Sequence, residues 1–113
     1  MKKKIVILGG GESGVGAALL AIQNGFEVFV SDESSLKEKY RNELLAAGIE
    51  FEEGKHDEGK ILKADEIVKS PGIPEKNDIM RKIRAKGIPV ISEVELAYRF
   101  KGSSRIVAIT GSN

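Results

Sequence analysis

Short runs of apolar residues recur along the chain, separated by longer stretches in which apolar and polar positions mix. The runs are continuous instead of alternating, which is typical of strands covered on both faces in a parallel sheet. They predict strands at residues 5–8, 26–30, 49–51, 66–69, 88–91 and 106–109. Pro89 makes the fifth of these a candidate edge strand, because proline donates no hydrogen bond to a sheet.

The stretches between these runs have helical length and carry helix start signals. Ser35 with Glu38, and Ser92 with Glu95, have the S-x-x-E spacing of a capping box. The pattern predicts helices at 15–22, 35–47, 78–85 and 92–100, with a weak helical turn near 61–62. A glycine stands at three of the helix exits, where its lack of a Cβ atom allows the left-handed turn back into a strand. These exit glycines are Gly25, Gly48 and Gly87.

The alternation of strand and helix predicts an α/β fold. We expect a Rossmann-like, doubly wound, mainly parallel sheet of about five strands flanked by helices. The chain has 113 residues and a mass of 12.2 kDa, which suits a single compact domain. In a sheet of this kind, ligands bind beyond the carboxyl ends of the strands.

Charge and composition exclude several classes of function. Eighteen basic and seventeen acidic side chains leave a net charge of +1, which disfavours a general nucleic-acid binder. With no cysteine and a single histidine, His56, the sequence predicts neither a disulfide framework nor a metal site. No apolar run approaches the roughly 20 residues of a membrane span. We therefore expect a cytoplasmic protein that does not insert into membranes.

The first predicted strand leads directly into a glycine-rich turn and then a helix. Gly9, Gly11 and Gly14 have the G-x-G-x-x-G spacing in this strand-to-helix context. In such turns the first glycine permits a tight turn, the second lets a phosphate approach the backbone, and the third allows close helix packing. A purely structural turn is the alternative. Ser13 either donates its hydroxyl to a phosphate or caps the helix.

Asp32 ends the second strand, 18 positions after Gly14. An acidic residue there commonly accepts hydrogen bonds from a ribose or a base, and a solvated turn aspartate is the alternative. We expect His56 to lie in an exposed loop, and Glu95 to serve its capping box instead of acting as a catalytic acid. Because no pair of nucleophile and base is evident, the sequence predicts a binding domain. Its ligand is either a nicotinamide or flavin dinucleotide, or another diphosphate.

Four segments together resemble the N-terminal region of the Mur ligases of bacterial cell-wall synthesis. They are residues 5–16 with Asp32, 64–74, 87–96 and 106–113. The sequences S-P-G-I-P and A-I-T-G-S-N within them are far more specific than three glycines. The resemblance covers essentially the whole chain and is closest to the members that add D-glutamate to UDP-N-acetylmuramoyl-L-alanine.

The resemblance implies that residues 1–104 form the Rossmann-like domain that binds the UDP end of the substrate. The turn at 11–14 should face the diphosphate, residues 32–34 should meet the uracil and ribose, and residues 70–72 should line the same pocket. Two of the implied residues, Glu12 and Glu33, depart from the family, which often has uncharged residues there. The full implied set is Gly11, Glu12, Ser13, Gly14, Asp32, Glu33, Ser34, Ser70, Pro71 and Gly72.

By the same resemblance, residues 105–113 begin a central ATP-binding domain. Thr110, Gly111, Ser112 and Asn113 match the opening of its phosphate loop, before the Gly-Lys-Ser/Thr that would grip the phosphates and magnesium. We therefore expect an N-terminal fragment that has no catalytic residue, metal or cofactor of its own and is inactive alone. In the full-length ligase, ATP would phosphorylate the substrate carboxylate and the amine of D-glutamate would attack it, with magnesium assisting.

Two alternatives to this function remain at the level of the sequence. One is a regulatory NAD-binding module without ligase chemistry. The other is the equivalent domain of a sister Mur ligase, because the absent C-terminal domain selects the incoming amino acid. The intact ligase is expected to be a monomer.

Overall fold

Five strands and five helices alternate in the part of the chain that the computed structural model describes, residues 2–104 with side chains for 2–100. The strand predicted at 106–109, the domain start predicted at 105–113 and the phosphate-loop residues 110–113 lie outside the described residues. The elements are β1 (Lys4–Leu8), α1 (Glu12–Gln23), β2 (Glu27–Asp32), α2 (Glu38–Ala46), β3 (Glu50–Glu53), α3 (Glu58–Ile61), β4 (Glu66–Lys69), α4 (Asp78–Lys86), β5 (Val90–Ser92) and α5 (Glu93–Ser104).

The strands form one sheet in the order β3-β2-β1-β4-β5, and every neighbouring pair is parallel. Ile7 of β1 stands beside Val30 of β2 on one side and Val68 of β4 on the other. The chain moves outward from β1 to β3 and then crosses back to β4, so the strand order reverses between β1 and β4. In sheets of this kind that reversal point is where a ligand binds. The predicted fold class is confirmed. Among the strands of residues 2–104, β5 lies at an edge of the sheet, as Pro89 indicated.

The alternating side chains of β1 enter two different hydrophobic cores. Ile5 and Ile7 pack in a cluster with Val15 and Ala18 of α1 and with Leu96 of α5. Val6 and Leu8, on the other face of β1, pack in a second cluster with α3 and α4. That second cluster contains Val6, Leu8, Phe29, Ile61, Ala64, Ile67, Ile79, Met80 and Ile83. Burial on both faces explains why the strands are continuous apolar runs.

One of the two predicted capping boxes is confirmed and the other is wrong. At the start of α5 the Ser92 Oγ atom accepts the Glu95 N–H at 3.0 Å, and the Glu95 carboxylate accepts the Ser92 N–H at 2.8 Å. At α2 the helix begins later, at Glu38, after a Lys37 N-cap that makes no side-chain bond. The reason is that the Glu53 carboxylate of β3 accepts the Leu36 N–H at 2.7 Å and holds this segment outside the helix.

The predicted helix exits are confirmed. Gly25, Gly48 and Gly87 have φ values of 86°, 72° and 77°. Gly87 is the C-cap of α4 in the left-handed conformation, and its N–H bonds to the Arg84 carbonyl at 3.0 Å. Each of these three glycines thus turns a helix back toward a strand. Within residues 2–104 no helix is both long and apolar enough to cross a bilayer.

Candidate functional site

The glycine turn after β1 packs so tightly that backbone contacts backbone. A Cβ atom added to Gly14 would lie 1.9 Å from the carbonyl oxygen of Gly9, which is far inside any permitted contact. The start of α1 therefore rests directly on the turn, as predicted for the third glycine of the motif. Gly10 is also closely packed, since a Cβ atom there would lie 2.2 Å from a Leu36 methyl carbon, although that side chain can move whereas the Gly9 carbonyl cannot.

Helix α1 begins immediately beyond this turn, with Gly11 as its N-cap residue. Gly11 provides no side-chain cap, and the Val15 N–H bonds to the Gly11 carbonyl at 2.9 Å. The alternative in which Ser13 caps the helix is therefore wrong. The amides of the first helical turn have no partner inside the helix, and the helix dipole adds positive potential there. A Cβ atom added to Gly11 would meet nothing within 4 Å, so its backbone is open to a ligand.

Asp32, at the end of β2, connects the glycine turn to the loop that follows β2. Its Oδ2 atom accepts the Gly10 N–H at 2.7 Å, and its Oδ1 atom accepts the Ser34 N–H at 2.8 Å. One carboxylate thus fixes two backbone segments that are 24 residues apart in the chain. Because each carboxylate oxygen has two lone pairs, Asp32 retains capacity to accept bonds from a ligand.

The loop after β4 closes the other side of the glycine turn. The Ser70 N–H bonds to the Leu8 carbonyl at 3.1 Å, which extends the β1–β4 pairing by one residue. The Ile73 N–H then returns to the Ser70 carbonyl at 3.2 Å. Gly9 has a φ of +110°, and a Cβ atom there would lie 2.8 Å from the Ser70 Cβ atom. Residues 70–74 therefore lie directly against the turn.

A cavity of about 250 Å³ opens between these three loops. It lies beyond the carboxyl ends of β1, β2 and β4, at the reversal of strand order. Its lining combines residues of the glycine turn with residues that follow β2, β3 and β4. These are Gly9, Gly11, Asp32, Glu33, Ser34, His56, Ser70, Gly72, Ile73, Pro74 and Asn77.

Four residues of the implied UDP-binding set do not line this cavity. Gly14 is buried beneath the turn, and Glu12 is exposed on the first turn of α1. Ser13 and Pro71 line a neighbouring, mostly apolar groove along α1 and α5. The side chain of Glu33 does line the cavity and is 63% exposed, so its charge can point into solvent.

His56 was expected in an exposed loop, and that expectation is wrong. Its side chain is only 10% exposed, and the Nδ1 atom lies 2.7 Å from the Oγ atom of Ser31, a fully buried residue of β2. The place of His56 in the sequence, directly after a strand, could have indicated that it lies near the site. Residues 54–57 follow β3, and in a parallel sheet the loop after β3 reaches the same edge as the loop after β2.

Asn77 was also missed by the sequence analysis, and it serves two purposes. It is the N-cap of α4, where its Oδ1 atom accepts the Ile79 N–H at 3.0 Å. Its Nδ2 atom faces the cavity, 3.5 Å from the Glu33 Oε1 atom. An Asn followed by Asp and an apolar helix is a recognisable start signal, although nothing in that pattern indicates a ligand.

The cavity holds no fixed cation. Of the described residues that line it, none is lysine or arginine, while Asp32 and Glu33 are acidic. An anionic group would therefore depend on backbone amides and the dipole at the start of α1. Nearby, Glu93 lies against α1, and burial raises the pKa of its carboxyl while hydrogen bonding to Ser13 opposes that shift.

A larger cavity of about 440 Å³ lies on the far side of the β4 loop, beside β5 and the start of α5. Its two cationic side chains, Arg84 and Lys69, are already paired with Glu75. The Arg84 guanidinium contacts the Glu75 carboxylate at 3.0 Å, and the Lys69 Nζ atom lies 3.7 Å from the same carboxylate. The bond to Arg84 lowers the pKa of Glu75. The glycine turn takes no part in this cavity, so we place the candidate site in the smaller one.

Comparison with known proteins identifies the family. A model of the Mur ligase MurD-like N-terminal domain matches residues 3–92. The chain belongs to this family. The match covers the glycine turn, the β2 and β4 loops and the whole sheet, and it favours the Mur ligase interpretation over an NAD-binding module.

Relatives of this Mur ligase domain share one name. A UDP-N-acetylmuramoylalanine--D-glutamate ligase of Cytophaga hutchinsonii is 60% identical over 100% of the chain, and one of Bacteroides fragilis is 52% identical over 98%. In each case the chain spans 25% of the relative's length. The similarity is therefore to one quarter of those ligases.

Solved structures agree on the fold. A ligase from Neisseria meningitides that acts on UDP-N-acetylmuramate superimposes with a TM-score of 0.74 at 27% identity, covering 92% of this chain and 31% of that one. A UDP-N-acetylmuramate-alanine ligase from Thermotoga maritima has a TM-score of 0.76 at 22% identity, covering 88% and 23%. The Rossmann-like architecture of this Mur ligase domain is thus confirmed by independent structures.

Proposed function

We propose that this Mur ligase domain binds the UDP end of UDP-N-acetylmuramoyl-L-alanine, within an enzyme that adds D-glutamate to it. The observation that carries the proposal is the meeting of the glycine turn, the β2 loop and the β4 loop around one cavity at the reversal of strand order. The shared name of the relatives points to the same substrate.

In this proposal the diphosphate lies at the start of α1. The backbone amides of residues 11–14 donate to its oxygens, and the open space at Gly11 allows the close approach that this requires. Glu12 and Ser13 take part through their backbone, since their side chains lie outside the cavity, and Gly14 has only its backbone to offer. Pro71 helps to shape the β4 loop.

The nucleoside lies toward the β2 loop. Asp32, Glu33 and Ser34 meet the uracil and ribose, and Ser70 and Gly72 line the opposite wall. Asp32 is suited to a double role, because its carboxylate orders the turn through Gly10 and retains lone pairs for a hydroxyl.

The remaining chemistry belongs to parts of the enzyme outside the described residues. We propose that ATP and magnesium bind through a central domain that starts at residue 105, with Thr110, Gly111, Ser112 and Asn113 opening its phosphate loop. D-glutamate would enter through a further domain. The whole enzyme is proposed to be a cytoplasmic monomer and an ATP-dependent, amide-forming ligase.

Amide chemical shifts of the ¹⁵N-labelled chain, recorded during titration with UDP, test this site. We expect the largest changes at Gly11, Ser13, Asp32 and Gly72. Changes confined to the larger cavity beside β5 would contradict the proposal. Saturable binding of NADH without any response to UDP would favour an NAD-binding module instead.

A matched pair of variants tests the role of the α1 backbone. Neither Gly11 nor Gly16 has an atom within 4 Å of an added Cβ, so Gly11→Ala and Gly16→Ala should both fold. Only the first places a methyl group where a phosphate must approach. We expect Gly11→Ala to weaken UDP binding about tenfold or more, by analogy with the loss of one or two charge-assisted hydrogen bonds, and Gly16→Ala to leave it unchanged.

A further inference from the structure

A short chain of hydrogen bonds links the buried end of β2 to the wall of the cavity. The Ser31 Oγ atom lies 2.7 Å from the Glu52 Oε2 atom and 2.7 Å from the His56 Nδ1 atom. Ser31 is fully buried, whereas His56 lines the cavity. These hydrogen bonds thus connect Glu52 of β3, through Ser31 of β2, to His56, which the sequence predicted to be exposed.

The direction of each hydrogen bond in this chain follows from the number of protons available. The Glu52 Oε2 atom also accepts the Asp57 N–H at 2.7 Å, and a carboxylate can only accept. Ser31 therefore donates its one hydroxyl proton to Glu52 at 2.7 Å, which is nearer than its other possible acceptor, the Lys55 carbonyl oxygen at 3.3 Å. The Ser31 oxygen is then left as an acceptor, so the His56 Nδ1 atom must carry a proton and donate it.

This assignment leaves the second ring nitrogen of His56 at the cavity. In the uncharged imidazole, a proton on Nδ1 means a lone pair on Nε2. The Glu33 Oε1 atom is 3.7 Å from Nε2, which is too far for a hydrogen bond. Among the described residues Nε2 has no hydrogen-bond partner. A histidine needed only to satisfy Ser31 would not have to expose this atom to the cavity.

We propose that His56 is a binding residue for the uridine, with Nε2 accepting a hydrogen bond from a ribose hydroxyl or from the uracil N3–H. Ser31 and Glu52 are positioning residues, since they fix the tautomer and the plane of the ring. The inference rests on the proposed function, because it assigns a further contact within the same UDP site.

The imidazole nitrogens report directly on this proposal. The chain contains one histidine, so its ring ¹⁵N signals are unambiguous. Recorded at about pH 8, they should show the Nδ1–H tautomer in the free protein. Adding UDP should shift Nε2 strongly and Nδ1 little. An Nε2–H tautomer, or an Nε2 signal that does not move when UDP binds, would overturn the proposal.

One substitution separates binding from packing. In His56→Asn the side-chain amide nitrogen can replace Nδ1 as the donor to Ser31, whereas nothing replaces Nε2. We expect little change in thermal stability and a loss of about three- to tenfold in UDP affinity, as for one net hydrogen bond. Affinity for pyrophosphate, which lacks the nucleoside, should not change. Equal UDP affinity in the wild type and the variant would count against His56.

UDP analogues identify the donor without any mutation. 2′-Deoxy-UDP and 3′-deoxy-UDP each lack a ribose hydroxyl, and 3-methyl-UDP lacks the uracil N–H. One of the three should lose both affinity and the Nε2 shift in the wild type, and that analogue should lose nothing further in His56→Asn. If every analogue shifts Nε2 as UDP does, the proposed bond does not exist.

Failure of this inference differs visibly from failure of the proposed function. If UDP shifts the amides of Gly11 and Gly72 but leaves the imidazole unmoved, the UDP site stands and His56 is only structural. If UDP shifts neither, the site itself is wrong.

Discussion

The two halves of the candidate site are built in different ways. On the diphosphate side, backbone packs on backbone and side chains are excluded, since a Cβ atom added to Gly14 would lie only 1.9 Å from the Gly9 carbonyl oxygen. On the nucleoside side, polar side chains from three strand ends face the cavity, namely Asp32 after β2, His56 after β3 and Asn77 before α4. The diphosphate side therefore depends on glycines, which have no side chain, and the nucleoside side depends on which polar side chains are present.

The difference reflects what each half is proposed to recognise. A diphosphate presents many equivalent acceptor oxygens, which backbone amides and a helix dipole can satisfy without any particular side chain. A nucleoside presents a specific set of donors and acceptors, which side chains must match. Substitution of the tightly packed Gly14 should therefore disturb the fold, whereas substitution of His56 on the nucleoside side should lower affinity and leave the fold intact.

Gly14→Ala is expected to give the largest effect, because it breaks the backbone-built side directly. The new methyl group would collide with the Gly9 carbonyl, which is backbone and cannot rotate away. We expect a loss of about 3 kcal/mol or more in the free energy of unfolding, measured by urea denaturation.

Gly16→Ala, one half-turn further along α1, is the matched control for steric strain. An added Cβ atom there meets nothing within 4 Å, so the variant should gain up to about 1 kcal/mol from helix propensity. If both variants unfold at the same urea concentration, the tight contact at Gly14 is not what constrains the turn.

Asp32→Asn tests the junction between the two halves. The two amides bond to different carboxylate oxygens, and asparagine replaces one of these oxygens with an NH2 group that can only donate, so it cannot hold both the Gly10 N–H and the Ser34 N–H in this geometry. Either the N–H of Gly10, which is buried, or that of Ser34, which is exposed, loses its partner. We expect a destabilisation of about 1–3 kcal/mol together with weaker UDP binding. Thermal denaturation and UDP titration measure the two effects.

Asp65→Asn provides the comparison for Asp32. Asp65 accepts one backbone bond, from the Lys4 N–H at 2.7 Å, and lies at the opposite end of the sheet. Since asparagine keeps one acceptor, this variant should change stability by less than about 0.5 kcal/mol. A loss equal to that of Asp32→Asn would show that the charge, and not the second acceptor, is what matters.

Glu93→Gln should have a small effect, and its size depends on pH. Burial raises the pKa of Glu93 above its ordinary value of 4.5, so the folded state holds the proton more tightly than the unfolded state does. Stability is therefore lost as the pH rises through the folded pKa, and the neutral glutamine avoids that loss. We expect the variant to be more stable than the wild type near neutral pH, by less than about 1 kcal/mol, and equal to it at pH values below the unfolded pKa.

Glu95→Gln controls for the change of residue type on the same helical turn. Glutamine can keep the bond to the Ser92 N–H, and Glu95 is exposed. Its difference from the wild type should not follow the same pH curve. Denaturation at a series of pH values compares the two variants. If both differ from the wild type in stability by amounts that change with pH in the same way, burial of Glu93 does not explain its effect.

Much of the fold was predictable because its signals are local. The continuous apolar strands, the exit glycines and the Ser92–Glu95 capping box depend on residues within a few positions of one another. Ser35 shows where local reasoning fails. Its spacing to Glu38 is that of a capping box, yet Glu53 of β3 takes the Leu36 N–H, and the helix begins later.

The candidate site likewise has one side that local sequence signals predict and one side that depends on tertiary contacts. The glycine spacing and the position of Asp32 indicated the diphosphate side, because the motif is contiguous with β1 and β2. His56 could not be assigned, since its orientation depends on Ser31 and on Glu52, which meet only when β2 pairs with β3. Asn77 likewise reaches the cavity through the crossover after β4.

By itself, the sequence determined which segments form strands and helices and where the backbone has no room for a side chain, because propensity, period and glycine placement act over short distances. Only the tertiary structure decided which strand ends meet and which nitrogen of His56 faces the cavity. Parallel pairing brings together residues that are 21 to 25 positions apart, and the hydrogen bonds that orient a side chain exist only after that pairing has formed.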